Sequence, residues 1–220
     1  MEPTTPIDLS RTWAIVPIRG LETAKTRLGE DLDAEERLEL VTELLRRTLV
    51  ATRDAARVDG TVLVTMDPAA AGLAQDHGAI GLVERAPGLN AAIEAARSVA
   101  IAREATAVVI LPADLPAITA LAVDTLVESA AKASLDGEPT ARGVVAIVPD
   151  RHGRGTNALL ISPPDLIEPE FGIDSLRLHR DGAARASATI VELDGPLSLD
   201  LDTGADLETA ELELGSLRRG

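Results

Sequence analysis

The sequence predicts an α/β fold, organised as a three-layer α/β/α sandwich around a mostly parallel sheet. Short apolar runs alternate with longer amphipathic segments along most of the 220 residues, which is typical of repeated βα units. The apolar runs lack polar alternation, so we expect strands that are covered on both faces. No linker, repeat or low-complexity tract divides the sequence. We therefore expect one domain over residues 1–220, of which 1–11 form a flexible N-terminus.

The first half of the chain is predicted to hold four strands and their connecting helices. Uncharged apolar runs indicate strands over residues 12–18, 60–66, 79–83 and 107–116. Asp33 and Glu36 have the spacing of a capping box, and apolar residues follow at helical spacing, which predicts a helix over 34–55. Shorter helices are predicted over residues 69–76 and 89–103.

The second half departs from this regular alternation. Thr119 is suited to cap a helix over 119–132. Between residues 136 and 169 two apolar runs, 143–150 and 156–162, follow one another without a helix, so we expect neighbouring strands there. Such a break often marks the place where a second substrate is held. The remaining elements are predicted as a helix over 175–184, a strand over 188–193 and a helix over 205–217.

The composition excludes several classes of function. The formal net charge is −15, and a field of that sign repels DNA, RNA and anionic membranes. One Trp, one Phe and no Tyr leave no stacking platform for single-stranded nucleic acid, and the lack of Cys excludes thiolate chemistry. No segment resembles a signal peptide or a membrane span. We expect a cytoplasmic protein without nucleic-acid or membrane partners, whose oligomeric state stays open.

A basic loop follows the first predicted strand. It contains Arg19, Gly20, Lys25 and Arg27, and Lys25 is one of only two lysines in the sequence. A glycine, free backbone N–H groups and a lysine can together cradle phosphates, although the Walker A pattern is absent. A solvated basic loop is the alternative, and the loop alone does not decide between them.

Carboxylates follow two other predicted strands. Asp114 lies at the end of the strand 107–116, where ligands bind in open α/β sheets, although a structural turn before Pro116 is an equal alternative. Asp200 and Asp202 are spaced so that their side chains point the same way on an extended segment. If one of them faces Asp114, the pair can hold a Mg²⁺ ion on nucleotide phosphates. Asp206 is expected to be a first-turn acid of the last helix.

Two small, polar turns can hold a compact oxyanion through backbone N–H groups and hydroxyls. The first contains Gly153, Gly155 and Thr156, and the second contains Gly172 and Ser175. His152 lies in the first turn, where we expect a surface residue rather than a general base.

These segments occur in a recognisable order. The stretches "AKTRL", "LPADLP", "DRHGRGTNALL", "FGIDS" and "LDLDTGADL" resemble those of the 2-phospho-L-lactate/phosphoenolpyruvate guanylyltransferases, which make the activated intermediate of coenzyme F-420 biosynthesis. The resemblance runs from about Trp13 to Leu207. It implies a nucleotide-diphospho-sugar-transferase-like, Rossmann-like fold, similar to that of molybdenum-cofactor guanylyltransferases and sugar-nucleotide synthetases.

The resemblance also implies the ligands and the residues that bind them. GTP, Mg²⁺ and a small phosphorylated three-carbon acid are expected, with phosphoenolpyruvate favoured because the composition looks bacterial. By matching motif, Thr156, Gly172 and Ser175 bind the acid, Asp114 and Asp202 bind the metal, and Lys25 contacts phosphate. Lys25 and Asp114 are the expected catalytic residues. The expected nucleotide-binding residues are Arg19, Gly20, Lys25, Gly88 and Asn90, with a helix cap as the alternative for Asn90.

Some positions depart from the expected family pattern. Arg19 stands where Lys is common, Asp174 replaces the second Gly of F-G-x-G-S, and Gly204-Ala205 replaces Pro-Glu. Two alternatives also stay open: a nucleotidyltransferase for another acceptor, such as a sugar phosphate or the molybdenum cofactor, and a non-catalytic nucleotide-binding domain.

Overall fold

The computed structural model describes residues 7–25, 28, 32–85, 88–138, 140–214 and 217. Its strands are β1 (Thr12–Pro17), β2 (Gly60–Thr65), β3 (Ile80–Val83), β4 (Ala107–Ile110), β5 (Val144–Pro149), β6 (Thr156–Ser162) and β7 (Thr189–Glu192). Its helices are α1 (Ala34–Asp54), α2 (Pro68–Asp76), α3 (Leu89–Ala102), α4 (Ala120–Asp136), α5 (Ser175–Arg185) and α6 (Gly204–Leu214).

The seven strands form one mixed sheet in the order β3-β2-β1-β4-β6-β5-β7. The strands β1, β2, β3 and β4 pair in parallel, and β5 pairs in parallel with β7. Strand β6 is inserted between β4 and β5 and pairs antiparallel with both. The mostly parallel sheet predicted from the apolar runs is therefore confirmed, with β6 as the reversed strand.

Helices cover both faces of this sheet, which confirms the predicted three-layer sandwich. On one face, α1 and α4 pack against β1, β4, β5 and β6 through an aliphatic core of Leu, Ile, Val and Ala side chains. On the other face, α3 and α5 contribute Ile93, Ala96, Ala100, Leu176 and Ala183 to a second core. Both clusters lack large aromatic residues at their centres, as the composition predicts.

Local signals placed the helix starts correctly. Asp33 accepts hydrogen bonds from the N–H groups of Glu35 and Glu36, and the Glu36 side chain accepts from the Asp33 N–H, which completes the capping box. Thr119 caps α4 by accepting from the Ala122 N–H. Ile7 and Leu9 pack against the core. The flexible N-terminus expected over residues 1–11 stays a prediction, since residues 1–6 lie outside the described residues.

The reversed direction of β6 determines where its first residues lie. Because β6 runs antiparallel to β4, Thr156 is at the same sheet edge as the carboxyl ends of β1, β4 and β5. At this end the pairing with β5 shifts, since Val148 is opposite Ala158 whereas Pro149 is opposite Thr156. Asn157 is thus the extra residue of a β-bulge, a feature that re-aims side chains at the edges of sheets.

Candidate active site

Lys25 contacts two carboxylates that lie far from it in the sequence. Its Nζ is 2.5 Å from Asp114 Oδ2 and 2.6 Å from Asp202 Oδ1. The Lys25 side chain is 11% exposed, whereas those of Asp114 and Asp202 are 28% and 47% exposed. The fold therefore brings together the lysine of the basic loop and the acids that follow β4 and precede α6.

The backbone around these residues explains why they meet. The Leu201 N–H donates to the Asp114 carbonyl over 3.1 Å, which ties the two acidic segments together. Leu28 is fully buried in a cluster with Leu201 and Leu207, so the loop that carries Lys25 is anchored beside Asp202. Lys25 itself has a φ of 56° in the left-handed region, a conformation that lysine rarely adopts and that costs conformational energy.

The electrostatics of the site keep Lys25 charged. Burial alone would lower the pKa of Lys25, but the carboxylates of Asp114 and Asp202 outweigh burial and raise that pKa above its ordinary value. Asp200 lies nearby, and burial raises its pKa, with the charges of Asp114 and Asp202 acting in the same direction. Two carboxylates thus contact one ammonium, and Asp200 lies close enough to both acids to interact with their charges. This excess of negative charge favours binding of a further cation.

The glycine of the basic loop permits a close approach to α2. A Cβ on Gly20 would lie 3.1 Å from Thr23 Oγ1 and 3.3 Å from the Asp67 side chain. Asp67 also accepts a 3.0 Å hydrogen bond from the Leu21 N–H. The loop is therefore held against the start of α2, and at least this N–H group is already used, contrary to the free backbone donors expected there. Arg27 lies outside the described residues.

Two open cavities meet at Arg19 and Leu89. One has a volume of about 620 Å³, and Lys25, Asp114, Asp202 and Phe171 line it. The second has a volume of about 640 Å³ and lies beyond the ends of β2 and β3. Its lining includes Arg19, Glu84, Arg85 and Gly88. Together they form a cleft along the carboxyl edge of the sheet, where α/β proteins bind nucleotides.

Asn90 holds the segment around Phe171. Its Nδ2 donates to the Phe171 carbonyl over 3.1 Å, and its Oδ1 accepts from the Phe171 N–H over 2.8 Å. The residue that precedes α3 as its N-cap is Gly88, so the helix-cap alternative for Asn90 is wrong. A direct contact between Asn90 and the nucleotide stays a prediction.

The two small turns are joined through Thr156 and Ser175. The Thr156 N–H donates to Ser175 Oγ over 2.9 Å, and both residues are buried. Gly172 lies two residues before Asp174 and has a φ of 131°, which favours glycine. The Ser175 N–H donates to the Gly172 carbonyl over 3.2 Å. The three residues expected to bind the acid are thus connected by hydrogen bonds.

The backbone of the first turn is arranged differently from the expectation. The N–H groups of His152, Arg154 and Gly155 donate to the carboxylate of Asp150. These donors are therefore used within the turn, and the prediction that they are free to hold an oxyanion is wrong. His152 is an exposed loop residue, as expected. Among the groups expected to bind the acid, the hydroxyls of Thr156 and Ser175 remain candidates, and each already has one hydrogen-bond partner within the protein.

One departure from the family pattern, Asp174, and one expected helix-start acid, Asp206, have clear structural settings. Asp174 has a φ of 58° and is exposed, and this left-handed conformation explains why glycine suits the position. Asp206 accepts from the N–H groups of Asp202 and Thr203 over 3.0 and 2.7 Å, which confirms its role at the start of α6. Arg151 pairs with the other oxygen of Asp206.

Two residues that contact the candidate site were not predicted from the sequence. His179 is fully buried, and its Nδ1 is 2.9 Å from Thr156 Oγ1. Its spacing of four residues from Ser175 on a predicted helix was the available signal, because residues four apart share a helix face. Asn157 donates to Asp200 Oδ1 over 3.3 Å. No local pattern in the sequence marks the β-bulge that places Asn157 there.

Comparison with known proteins covers nearly the whole chain. The family model described as "Guanylyl transferase CofC like" matches residues 12–214. A phosphoenolpyruvate guanylyltransferase of Sphaerobacter thermophilus is 41% identical over 198 residues, 90% of this chain and 91% of that protein. Another, of Conexibacter woesei, is 39% identical over 214 residues, 95% of this chain and 91% of that protein. The chain belongs to the CofC-like guanylyl transferase family. The resemblance carried by the motifs is confirmed, and the chain is a nucleotidyltransferase.

Solved structures confirm the fold of this guanylyl transferase family member. A Desulfovibrio desulfuricans protein assigned to the nucleotide-diphospho-sugar transferases has a TM-score of 0.69 at 16% identity, over 90% of this chain and 85% of that one. A 4-diphosphocytidyl-2C-methyl-D-erythritol synthase of Anaerococcus prevotii has a TM-score of 0.61 at 13% identity, over 96% and 98%. A Mycobacterium tuberculosis protein crystallised with manganese has a TM-score of 0.52 at 19% identity, over 91% and 97%. At these identities the likeness shows the fold alone.

A search of the described helices finds none that is both long enough and apolar enough to cross a membrane.

Proposed function

We propose that the protein transfers GMP from GTP to phosphoenolpyruvate or 2-phospho-L-lactate and releases pyrophosphate. The observation that carries this proposal is the contact of Lys25 with both Asp114 and Asp202, in the lining of a nucleotide-sized cleft. The hydroxyls of Thr156 and Ser175 supply a second, smaller polar site. Phosphoenolpyruvate is the favoured acceptor because the relatives named above carry it in their names. The product would be the activated intermediate of coenzyme F-420 biosynthesis, made in the cytoplasm.

The carboxylates of Asp114 and Asp202 fit a Mg²⁺ ion. Both already contact one cationic group, the Lys25 ammonium. Among the described residues, no group of three or more His, Asp or Glu side chains could hold a metal by itself. This agrees with Mg²⁺, which is commonly bound by one or two carboxylates together with substrate phosphates. When bound, Mg²⁺ neutralises charge that develops on the phosphate oxygens. Asp200 adds negative charge nearby, either as a direct ligand or through the field of the site.

The residues of the chain act mainly by positioning and by charge. The acceptor phosphate is already ionised near neutral pH, so its attack on the α-phosphorus requires no general base. Lys25 is charged and held beside Asp114, where an ammonium can stabilise charge on the α-phosphate and on the leaving pyrophosphate. Arg19 lines both cavities of the cleft and is the second cation suited to the phosphates. Gly20 and Gly88 allow the backbone to approach the nucleotide closely.

Product analysis tests this proposal directly. The purified protein is incubated with Mg²⁺, GTP and one acceptor at a time, and pyrophosphate release is followed while the product mass is determined. We expect a GMP adduct of phosphoenolpyruvate or 2-phospho-L-lactate. A GMP adduct formed only with a sugar phosphate or molybdopterin would replace the proposed acceptor. Binding of GTP without pyrophosphate release, with every acceptor, would support a non-catalytic nucleotide-binding domain instead.

A further inference from the structure

His179 lies in the interior of the protein directly behind Thr156. It is fully buried on α5, and both of its ring nitrogens have a polar partner. Nδ1 is 2.9 Å from Thr156 Oγ1, and Nε2 is 2.9 Å from the backbone nitrogen of Glu170. The ring therefore connects the first residue of β6 to the segment that leads into Phe171 and Gly172.

The contact with Glu170 assigns the tautomer of His179. A backbone N–H can only donate, so Nε2 must accept and carries no proton. Burial lowers the pKa of His179 to about 4, so the ring is neutral near pH 7. A neutral imidazole has one N–H, which must therefore be on Nδ1. Nδ1 thus donates to Thr156 Oγ1.

This assignment fixes what the Thr156 hydroxyl can do. Since its oxygen accepts from His179, its own proton is directed away from the ring and can donate to another group. The same reasoning applies to Ser175, whose Oγ accepts from the Thr156 N–H over 2.9 Å. Both hydroxyls are therefore set as donors, and donors to carboxylate or phosphate oxygens form the stronger, charge-assisted hydrogen bonds.

Residues next to these donors contact Asp200 and line the cleft. Thr156 is followed by Asn157, whose amide donates to Asp200. On the other side, the Phe171 ring meets His179 edge-on at 5.0 Å between centroids, and Phe171 lines the cavity that contains Lys25. Thr156 is thus linked to Asp200 through Asn157, and His179 is linked to the cleft through Phe171.

We propose that His179 is a positioning residue that orients the Thr156 hydroxyl as a donor to the acid substrate. It does not touch the substrate, because both of its nitrogens are occupied and its side chain is enclosed. Through Glu170 it also fixes the segment that carries Gly172. This inference rests on the proposed function, since it concerns the acid that the proposed reaction consumes.

Two substitutions separate the two hydrogen bonds of the ring. In His179→Asn the amide nitrogen can occupy the place of Nδ1 and still donate to Thr156, but the bond to Glu170 is lost. In His179→Gln the amide oxygen can reach the place of Nε2 and accept from Glu170, but the donor to Thr156 is lost. Each variant loses one buried hydrogen bond, so a purely structural role predicts similar effects of both on activity.

The KM for the acid is the decisive measurement. We expect about a 10-fold increase in His179→Gln and less than about a 3-fold increase in His179→Asn, with the KM for GTP within about 2-fold in both. In a Thr156→Val background, His179→Gln should cause no further increase, because the hydroxyl that it orients is gone. Equal increases in both variants, or an undiminished effect in that background, would overturn the inference.

A second measurement on the wild-type protein does not depend on the variants folding or on turnover. Long-range ¹H–¹⁵N NMR correlations of the histidine rings identify which nitrogen is protonated. We expect the proton of His179 on Nδ1, and a proton on Nε2 would overturn the proposal. A wild-type protein that forms no adduct with either acid would overturn the proposed function and the substrate role of Thr156 with it. Normal turnover with indistinguishable variants would overturn this inference alone.

Discussion

At the scale of single residues, Lys25 occupies a position that a metal ion also needs. Its ammonium lies between the carboxylates of Asp114 and Asp202, which are the proposed Mg²⁺ ligands. The same residue is proposed to stabilise charge on the nucleotide phosphates. We infer that Lys25 has two opposing effects: it competes with Mg²⁺ for the acids in the free protein, and it assists catalysis once the substrates are bound.

Replacing Lys25 by methionine tests both effects in one variant. We expect turnover to fall by about 10²–10³-fold, since a contact that stabilises transition-state charge is lost. We expect Mg²⁺ to bind the free variant about 10-fold more tightly than the wild type, because the competing ammonium is gone. Pyrophosphate release and Mg²⁺ titration calorimetry measure the two quantities.

Lys132→Met is the matched control, because Lys132 is the other lysine of the chain and is exposed on α4. It should change neither quantity. Near-normal turnover in Lys25→Met would remove Lys25 from the catalytic residues. Weaker Mg²⁺ binding in that variant would show that Lys25 organises the carboxylates instead of competing for them.

At the scale of elements, the start of α3 supports the segment that precedes α5. Asn90 makes two hydrogen bonds to the backbone of Phe171, and these occupy both polar atoms of its amide. If Asn90 acts through this segment, its loss affects the binding of the acid, for which Gly172 and Ser175 are the proposed residues. If it reads the nucleotide directly, its loss affects GTP.

We therefore expect Asn90→Ala to raise the KM for the acid by about 10-fold and to leave the KM for GTP within about 2-fold. Asn90→Asp keeps the acceptor for the Phe171 N–H and loses the donor, so it should fall between the wild type and the alanine variant. Steady-state kinetics with each substrate varied in turn give both constants. An increase confined to the KM for GTP would favour the nucleotide contact expected from the sequence.

Helix α5 should also make stability depend on pH through His179. Its pKa in the folded protein is about 4, against an ordinary value of 6.5. The unfolded chain therefore takes up a proton first, and the stabilisation is complete above pH 6.5 and is lost as the pH falls towards 4. The loss amounts to about 3 kcal/mol across that interval, at about 1.4 kcal/mol per unit of pKa difference.

Denaturant unfolding at about pH 7.5 and about pH 4 measures this loss. His179→Gln has no titrating ring, so its free energy of unfolding should fall by about 3 kcal/mol less than that of the wild type. The carboxylates are common to both proteins, so their contribution cancels in this difference. Equal losses in the two proteins would mean that His179 titrates normally in the folded state.

Sequence patterns predicted these elements well where the signal is local. Asp33 and Thr119 each accept hydrogen bonds from N–H groups in the first turn of the helix that follows them. A few neighbouring residues therefore determine where each helix begins, and the sequence shows those residues directly. The direction of β6 was not predictable in this way, because a strand buried on both faces has the same apolar pattern in either direction. From the sequence, Lys25, Asp114 and Asp202 were expected only as residues that follow strands, and their direct contacts were not predicted. Their pairing depends on how distant segments pack, as at Leu28 and Leu201.

At the scale of the whole molecule, the reversed strand joins two halves of the sheet. The parallel half, β1 to β4, carries the cleft with Arg19, Lys25 and Asp114, and the half formed by β5, β6 and β7 carries Thr156. Because β6 lies next to β4, the first residues of β6 reach the acids at the carboxyl edge of the parallel half. We therefore propose that the break in the βα alternation between residues 136 and 169 is the feature that brings the two substrates together.

The net charge of −15 acts on the same whole-molecule scale. The folded chain concentrates this charge, and the repulsion lowers stability at low ionic strength. Raising NaCl from about 0.02 M to about 0.3 M shortens the screening length to less than about 10 Å, so most of the long-range repulsion is removed. A gain of about 1 kcal/mol would raise the melting temperature by about 2–4 °C in a protein of this size. We expect the melting temperature to increase by that amount in thermal unfolding followed by circular dichroism.

KCl at the same ionic strength is the control. It should raise the melting temperature equally, since screening does not depend on the identity of the monovalent cation. A melting temperature that falls with salt would mean that attractive ion pairs, such as those of Lys25 and Arg180, outweigh the repulsion of the excess acids.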